Sequence, residues 1–390
     1  MKTLGRDFNF LLIARAVSVI GDEAALIALI FKVKGHGSWS TAALMAGTSV
    51  AMILTSSWIG KLIDRESVKK VLVITSLLQA MVCLLLLQSN LYTALVLNLF
   101  LGAGQAVVMA ATGAWTPALV AKDKLGKAFG QMQVVYSIAA LAGYGIGGVL
   151  VGKVGIKAAL LLDAVSFILL IPMLLAMKTD RIGNPEVDAQ GKMKGGYRIV
   201  WHSVPLRNIA ITLTAFVTAL MIFTPLEVFL TTDILGAGAT GYGIINMVWA
   251  GSLAVGSILI TKVLKPSWGY AKPSLVICIL AGFSMIGIGY SPNLIFLGIM
   301  LAFTGIIVAG FNIFIGPLIV NNSVESELGR VNAAIGAMNS AGSAIGMGVG
   351  GLLGQVLPIR LVIAMSGVLA AGTLIFTGKG LLASDIKTDK

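Results

Sequence analysis

Long apolar segments recur along the whole chain, and they constrain its fold more than any other feature. Each is roughly 18–25 residues long, the length that an α-helix needs to cross a bilayer. Of the 390 residues, 57% are hydrophobic and only 11% are charged, whereas soluble domains carry about 25% charged residues. No soluble fold of this size could cover such a sequence with polar surface, and a β-barrel would show short alternating strands. The pattern predicts an all-α polytopic membrane protein.

The apolar segments fall into two groups of six, separated by a polar, charged stretch at residues 178–207. This organisation predicts twelve transmembrane helices in two six-helix bundles, residues 1–177 and 208–378, with a tail at residues 379–390. The first segment is too long for the apolar region of a signal peptide, so we expect it to be retained. The predicted spans lie at residues 8–33, 41–63, 71–88, 92–119, 128–152, 158–177, 208–232, 241–263, 273–290, 294–320, 331–355 and 360–378.

The basic residues are distributed unevenly between the connections. Most of the 28 Lys and Arg residues lie near the termini, in the central linker and in the connections that follow even-numbered spans. Cytoplasmic connections carry such an excess of Lys and Arg. We therefore expect both termini and the linker in the cytoplasm, and the protein in the inner (cytoplasmic) cell membrane. The same distribution explains the net charge of +12 without any binding of nucleic acid.

The two halves of the chain resemble each other. The triplets LGK at 125–127 and LGR at 328–330 are related by the same offset as two sets of glycines in the fifth and eleventh spans. Such parallel repeats are a known transporter architecture, and small residues let helix backbones approach closely. The predicted packing glycines are Gly143, Gly147 and Gly148 in the first half and Gly346, Gly350 and Gly351 in the second.

Charged residues inside the first span give the strongest functional signal. Asp22 and Glu23 are adjacent in an otherwise apolar segment, where each acid costs on the order of 2.5–3.5 kcal/mol at the bilayer centre. Arg15, Ser18 and Asp22 share one helix face because they are three and four residues apart. Polar groups at this depth should face a water-filled cavity or a partner. Two adjacent carboxyl groups are not easily ionised together, so we expect one to carry a proton.

An ion pair that only fixes helix packing is the alternative to a titrating acid. Arg15 and Asp22 are separated by about 10.5 Å of helix rise, so a direct contact would need bending or a bridging water. A polar stripe in the fourth span, formed by Asn98, Gln105 and Thr112, also indicates a cavity. Two secondary acids, Asp163 and Glu227, lie near the outer ends of the sixth and seventh spans, where we expect them to be hydrated.

Metal and cofactor chemistry has no signature in the sequence. Cys83 and Cys278 lie far apart in apolar segments, and His36 and His202 lie in polar connections, so no metal-ligand spacing occurs. The phosphate-binding motif G-x-x-x-x-G-K-[ST] is also missing from the sequence. We therefore expect no metal, no cofactor and no enzymatic activity, and an ion gradient or the substrate's own gradient as the energy source.

The segment GKLIDRESVKKVL at residues 60–72 resembles the loop signature of the major facilitator superfamily. Gly60, Asp64, Arg65 and Lys69 match that signature. The resemblance implies that Asp64 docks on a neighbouring helix N-terminus, which its dipole favours. It also implies that Arg65 and Lys69 pair with acids of adjacent spans and hold a cytoplasmic gate shut. The alternative is an ordinary basic loop.

Other segments resemble one branch of that superfamily. GYGIGGVL at 143–150 is similar to its antiporter motif, with Tyr144 where proline is usual, and NLFLGAG at 98–104 is similar to its fourth-span motif, with Asn98 in place of an arginine tied to proton coupling. FNFLLIARAVSVIGDEA at 8–24 is similar to the first span of drug:proton antiporters that include macrolide-efflux and enterobactin-exporter-like proteins. The resemblance implies that the first and fourth spans line a central cavity.

Together these features predict a secondary active transporter that exports an amphipathic small organic molecule, drug-like or siderophore-like, by alternating access. We expect proton antiport at Asp22 or Glu23, with the substrate, protons and the bilayer as partners and a monomer as the active form. Three alternatives stay open. They are a lysophospholipid transporter or flippase, a metal exporter of the ferroportin type, and a membrane sensor or scaffold that transports nothing.

Overall fold

The computed structural model describes residues 4–182, 190–263, 269–324 and 327–383. The predicted linker and tail are described in part, because residues 183–189 and 384–390 lie outside these ranges. The described residues are almost entirely helical. The helices are α1 (Arg6–Val33), α2 (Ser38–Arg65), α3 (Val68–Leu86), α4 (Leu91–Leu119), α5 (Leu125–Lys153), α6 (Ile156–Ala176), α7 (Gln190–His202), α8 (Val204–Met221), α9 (Glu227–Phe229), α10 (Gly238–Val263), α11 (Ala271–Gly289), α12 (Leu294–Asn321), α13 (Leu328–Val356) and α14 (Ile359–Ala383).

Helices long and apolar enough to cross a membrane account for most of the described chain. There are eight such helical segments among the described residues, or ten if the bent helices α2 and α14 each count as one span. Neither α1, which carries Arg15, Asp22 and Glu23 in its middle, nor the glycine-rich α13 is among them. The chain is thus a multi-pass all-α membrane protein, while twelve crossings and cytoplasmic termini stay predictions.

The first compact unit comprises Met1–Gly35, Val50–Ala189 and Gly238–Met247. In it α1 packs on both α5 and α6, and α3 packs on α4 and α6. Leu11 of α1, Leu72 of α3 and Trp115 of α4 belong to one buried apolar cluster. Because α1 packs on both α5 and α6, Arg15, Asp22 and Glu23 in its middle are partly enclosed by the unit.

Glycines of α5 bring that helix into backbone contact with its neighbours in the first unit. A Cβ atom on Gly143 would lie 2.9 Å from the Ile20 carbonyl oxygen, and one on Gly147 would lie 2.6 Å from the Ala24 Cα atom. A Cβ atom on Gly148 would lie 2.8 Å from the Gly243 Cα atom. Real Cβ atoms do not approach other heavy atoms so closely, so only glycine permits these helix contacts.

The second compact unit comprises His36–Ser49, Gln190–Ala237 and Val248–Lys390. In it α11 packs on α12 and α14, and α8 packs on α13 and α14. Helix α8 ends before Pro225, whose segment forms a 3₁₀ turn, as expected for a residue that lacks an amide hydrogen. The Pro225 carbonyl oxygen accepts a hydrogen bond from the Thr41 hydroxyl at 3.0 Å. The division of the chain into bundles at 1–177 and 208–378 stays a prediction.

Candidate functional site

The polar residues of α1 form a cluster in the first unit. Ser18 is only 1% exposed, and its hydroxyl lies 3.4 Å from an Asp22 carboxylate oxygen. Arg15 and Asp22 interact electrostatically, but they form no ion pair within the described residues. The Arg15 Nη1 atom is buried and has no hydrogen-bond partner among these residues. The locked Arg15–Asp22 pair is therefore not the arrangement in this structure.

Two tyrosines of α5 face this cluster, and sequence reasoning did not assign them to the site. Tyr144 lies close enough to the Glu23 carboxyl group to interact with it electrostatically. Tyr136 lies close enough to interact electrostatically with Asp22, Glu23 and Arg15. Residues 136 and 144 are eight positions apart on one helix face, and this spacing is the signal that could have revealed them.

Asp163 of α6 reaches the same region from the opposite side of α1. A Cβ atom on Gly21 would lie 2.6 Å from the Asp163 Oδ1 atom, so the carboxyl group rests against the α1 backbone beside Asp22. The Cys83 thiol donates to Asp163 Oδ2 at 3.2 Å, and the Ser166 hydroxyl lies 3.3 Å from Oδ1. Asp163 is only 2% exposed, so the expectation that it is simply hydrated is wrong.

Glu227, the other secondary acid, belongs to the second unit. It is the first residue of α9 and precedes a π-helical turn, Leu230–Ile234. Such turns often occur at functional sites. Glu227 is 7% exposed, so it too is buried instead of hydrated. Its unit differs from that of Asp22.

The polar stripe of α4 is buried in the first unit. Asn98 and Thr112 are each 3% exposed. The Gln105 Oε1 atom and the Thr112 Oγ1 atom are buried without hydrogen-bond partners among the described residues. No described hydrogen bond joins Gln105 or Thr112 to the acids of α1. Unpaired buried polar atoms are costly, so these two atoms are available to a ligand or to water.

The loop between α2 and α3 is tied down by the segment that follows α6. The Lys69 ammonium group donates to the Met177 carbonyl oxygen at 2.6 Å, and the Lys69 amide donates to the Asp180 carboxylate at 3.2 Å. The side chains of Asp64 and Arg65 make no hydrogen bond or ion pair with any residue that the structure describes. The side-chain pairings that the resemblance implied are thus not made here, and the Lys69 ammonium group has a carbonyl partner instead of a carboxylate.

The same segment is tied to the first turn of α1, ahead of the apolar span. The Asp7 carboxylate accepts hydrogen bonds from the amides of Thr179 at 2.7 Å and Lys178 at 2.9 Å. These bonds, chiefly that from Thr179, hold the pKa of Asp7 below its ordinary value. Because the folded-state pKa is lowered, this contact stabilises the fold at neutral pH and weakens as the pH falls through that pKa.

No set of three or more His, Cys, Asp or Glu residues in the described ranges is arranged to hold a metal ion. The acids near α1 come together with hydroxyl, thiol and phenol groups, which donate hydrogen bonds. This chemistry suits the exchange of protons or the binding of a polar ligand group.

The match to a family model decides the family. The model of the Major Facilitator Superfamily matches residues 11–311, more than half of the chain. The chain belongs to the major facilitator superfamily. No curated protein sequence matches it significantly.

Solved structures of transporters share this fold. The nucleoside transporter NupG superimposes with a TM-score of 0.75 at 15% identity, covering 97% of this chain and 99% of that one. A bacterial homologue of the iron transporter ferroportin, in an inward-facing state, gives 0.76 at 14% identity over 98% and 100% of the two chains. A POT family transporter in complex with a thioalcohol-conjugated peptide gives 0.76 at 14% identity over 98% and 96%. At such identities the likeness establishes the fold alone.

Proposed function

We propose that this protein is a secondary active exporter of an amphipathic small organic molecule, drug-like or siderophore-like. It works as a monomer in the inner cell membrane, with twelve spans and cytoplasmic termini. Export occurs by alternating access and is driven by proton antiport. The family and the transporter fold support transport in general, and the acids of α1 support proton coupling.

One observation carries the proton-coupling proposal. Asp22 lies next to Glu23 in the otherwise apolar middle of α1, and no cation forms an ion pair with it within the described residues, even though Arg15 is on the same helix face. A carboxyl group so placed is costly to keep ionised. An acid that is not locked to a cation is free to gain and lose a proton as the site opens to either side of the membrane.

The experiment that tests the proposal uses purified protein in proteoliposomes and an amphipathic dye as reporter. Asp22→Asn and Glu23→Gln are compared with the wild type for uphill transport driven by a pH gradient. We expect the critical acid, Asp22, to be indispensable for uphill transport, while downhill exchange of the dye continues in part. Undiminished uphill transport by both single variants would refute the mechanism.

The double variant Arg15→Gln with Asp22→Asn separates coupling from packing. If the two side chains only stabilise each other, each single change should unfold the protein, because one buried charge loses its partner. The double variant should then recover both stability and transport. If Asp22 carries the proton, the double variant stays as inactive in uphill transport as Asp22→Asn. Thermal unfolding of each variant provides the accompanying stability measurement.

The proposal also includes a cytoplasmic gate formed by the segment that joins α2 and α3. Asp64 has no partner among the described residues and carries little packing, so Asp64→Asn should leave expression and unfolding temperature near the wild-type values. It should nevertheless slow transport severalfold, because the gate would use Asp64 in another state of the cycle. Asp123→Asn, which changes an exposed acid in the short turn before α5, is the control. Wild-type transport by Asp64→Asn would leave only an ordinary basic loop.

The alternatives are outcomes of the same reconstituted assay. A lysophospholipid transporter would move a labelled lysophospholipid and not the dye, and a metal exporter would move a divalent metal ion. A sensor or scaffold would move none of the three.

A further inference from the structure

A cavity of about 800 Å³ lies in the first unit between α2, α3 and α4. None of the charged residues of α1 lines it, so it is distinct from the candidate proton site. Its walls are mostly apolar, and Trp58 of α2 and Phe100 of α4, which line it, are each 60% exposed. These exposed aromatic rings suit contact with acyl chains, which fits a cavity that opens laterally toward the bilayer. We refer to it as the lateral groove.

One end of the lateral groove is charged. Glu66 and Lys70 line it there and form an ion pair of 3.1 Å, with side chains 45% and 62% exposed. Such an exposed pair contributes little stability, so a ligand can replace either partner at small cost. The α3 residues that line the groove run from Lys70 to Leu85, which is about 22 Å along the helix. The groove therefore fits an elongated molecule with a charged end.

A buried polar group interrupts the apolar wall. Gln79 lines the groove, is only 3% exposed, and its Oε1 atom has no hydrogen-bond partner among the described residues. It lies about 13 Å along α3 from Lys70. Gly104 of α4 makes room for it, because a Cβ atom there would lie 2.7 Å from the Gln79 Cδ atom. The groove wall thus holds one buried, unpaired acceptor, which would gain a partner from a ligand's N–H or O–H group if the Gln79 side chain turned toward the groove.

We propose that the lateral groove binds an elongated amphipathic organic molecule with a charged end at Glu66–Lys70 and a hydrogen-bond donor that meets Gln79 on its way from the membrane. The volume lies within the range of small-molecule sites. A plain acyl chain offers no donor at that depth, so the unpaired Gln79 oxygen favours an organic molecule with N–H or O–H groups over membrane lipid. The link to export rests on the proposed function, whereas binding itself does not.

The test measures binding of a bis-benzimidazole dye of the Hoechst type to the full-length protein in lipid nanodiscs. This dye is elongated, has a protonatable amine at one end and N–H groups along its aromatic body, and fluoresces more strongly in apolar surroundings. We expect a saturable rise in fluorescence above that of empty nanodiscs. A rise that only follows the amount of lipid, without saturation, would overturn the proposal.

Three variants locate the binding. Gln79→Leu keeps an apolar wall but removes the acceptor, and we expect about ten-fold weaker binding. Ala103→Trp fills the groove and should remove saturable binding. Glu66→Gln should weaken binding of the cationic dye by roughly two- to five-fold, while the matched control Glu327→Gln, which removes the exposed pair with Arg330 in the second unit, should not change it. If Ala103→Trp fails to fold, Gln79→Leu and Glu66→Gln still test the proposal, because unchanged binding by both variants would contradict it.

Two further arms separate this proposal from the proposed function. Asp22→Asn should bind the dye as the wild type does while losing uphill export. If Asp22→Asn also abolishes binding, the dye occupies the α1 site and the groove proposal is wrong. If binding depends on Gln79 but the wild type exports nothing, the groove proposal stands and the exporter proposal fails. Displacement of the dye by an excess of a single-chain phosphocholine lipid would identify a lipid groove and overturn the choice of ligand.

Discussion

The glycine-lined contacts of α5 and α13 have the same geometry but different chemical surroundings. In the first unit, Gly143 packs against Ile20 and Glu23 of α1, and Gly147 packs against Ala24. In the second unit, glycines at the same offset, Gly346 and Gly350, pack against α8 and the residue that follows it. Their contacts are Thr218 and Met221 for Gly346, and Ile222 for Gly350.

The last glycines of the two series, Gly148 and Gly351, also make similar helix contacts. Gly148 packs against Gly243 near the start of α10 within the first unit. Gly351 packs against Ala42 near the start of α2 within the second unit, where Ser38 also donates a hydrogen bond to the Gly351 carbonyl oxygen at 2.7 Å. The repeat seen in the sequence is thus a repeat of helix contacts.

The contacts also match α1 with α8 residue by residue. Glu23 corresponds to Met221 and Ala24 to Ile222, so Asp22 corresponds to Leu220. In the same alignment of α1 with α8, Arg15 corresponds to Leu213 and Ser18 to Phe216. Each of Arg15, Ser18, Asp22 and Glu23 thus corresponds to an apolar residue of the other repeat. The packing of the two repeats is shared, whereas the charged residues in the middle of α1 have no charged counterparts in α8.

The largest effect is expected where the two repeats agree. Gly147→Ala and Gly350→Ala each place a methyl group against the backbone of the facing helix, and we expect either change to cost about 1–3 kcal/mol of stability and most of the transport activity. Gly348→Ala is the matched control on α13, because a Cβ atom there meets nothing within 4 Å. Thermal unfolding of the three variants measures the effect. Equal stability of Gly147→Ala and Gly348→Ala would show that the α5 contact is not needed.

A selective effect is expected where the repeats differ. Asp22→Leu and Glu23→Met give the first repeat the residues found at matching positions of the second. Because the packing of α8 already accommodates such residues, we expect the unfolding temperature to stay level or to rise. Uphill proton-coupled transport should be lost in Asp22→Leu. Unfolding of Asp22→Leu, or unchanged uphill transport, would mean that the difference between the repeats has no role in coupling.

The smallest effect is expected at Tyr144, which takes the place of a proline in the motif that the α5 segment resembles. Met347 stands at the corresponding position of the second repeat. Tyr144→Phe removes the hydroxyl group that interacts with Glu23 and should slow uphill transport about ten-fold without unfolding the protein. Its pH profile should differ from that of the wild type, which a purely structural role would not cause. Tyr290→Phe, which changes an exposed tyrosine of the second unit, is the control, and an equal effect there would contradict a specific role of Tyr144.

The fold was largely predictable from local pattern. Each predicted apolar segment except the seventh lies on one helix of the structure, because a run of apolar residues needs no information about its neighbours to become a membrane helix. The seventh, residues 208–232, is divided among α8, α9 and the turns that flank α9. The offset between the two glycine sets likewise indicated equivalent helix contacts. The break after α8 followed from Pro225 alone.

The site was predictable only in part. The spacing of Arg15, Ser18 and Asp22 placed them on one face, but it could not say that Arg15 would leave Asp22 without an ion pair. Position along α6 suggested that Asp163 was hydrated. In the structure, the missing side chain of Gly21 lets α6 approach α1, and the carboxyl group is enclosed between Cys83 and Ser166.

The sequence by itself determined the class of protein, the order of its helices and the presence of costly acids in the first apolar segment. These properties depend on composition and on spacing within one helix. The tertiary structure decided which groups surround those acids, and it added Tyr144, Tyr136 and Asp163 to them. The reason is physical: hydrogen bonds and burial depend on the register between packed helices, and residues far apart in the chain set that register together.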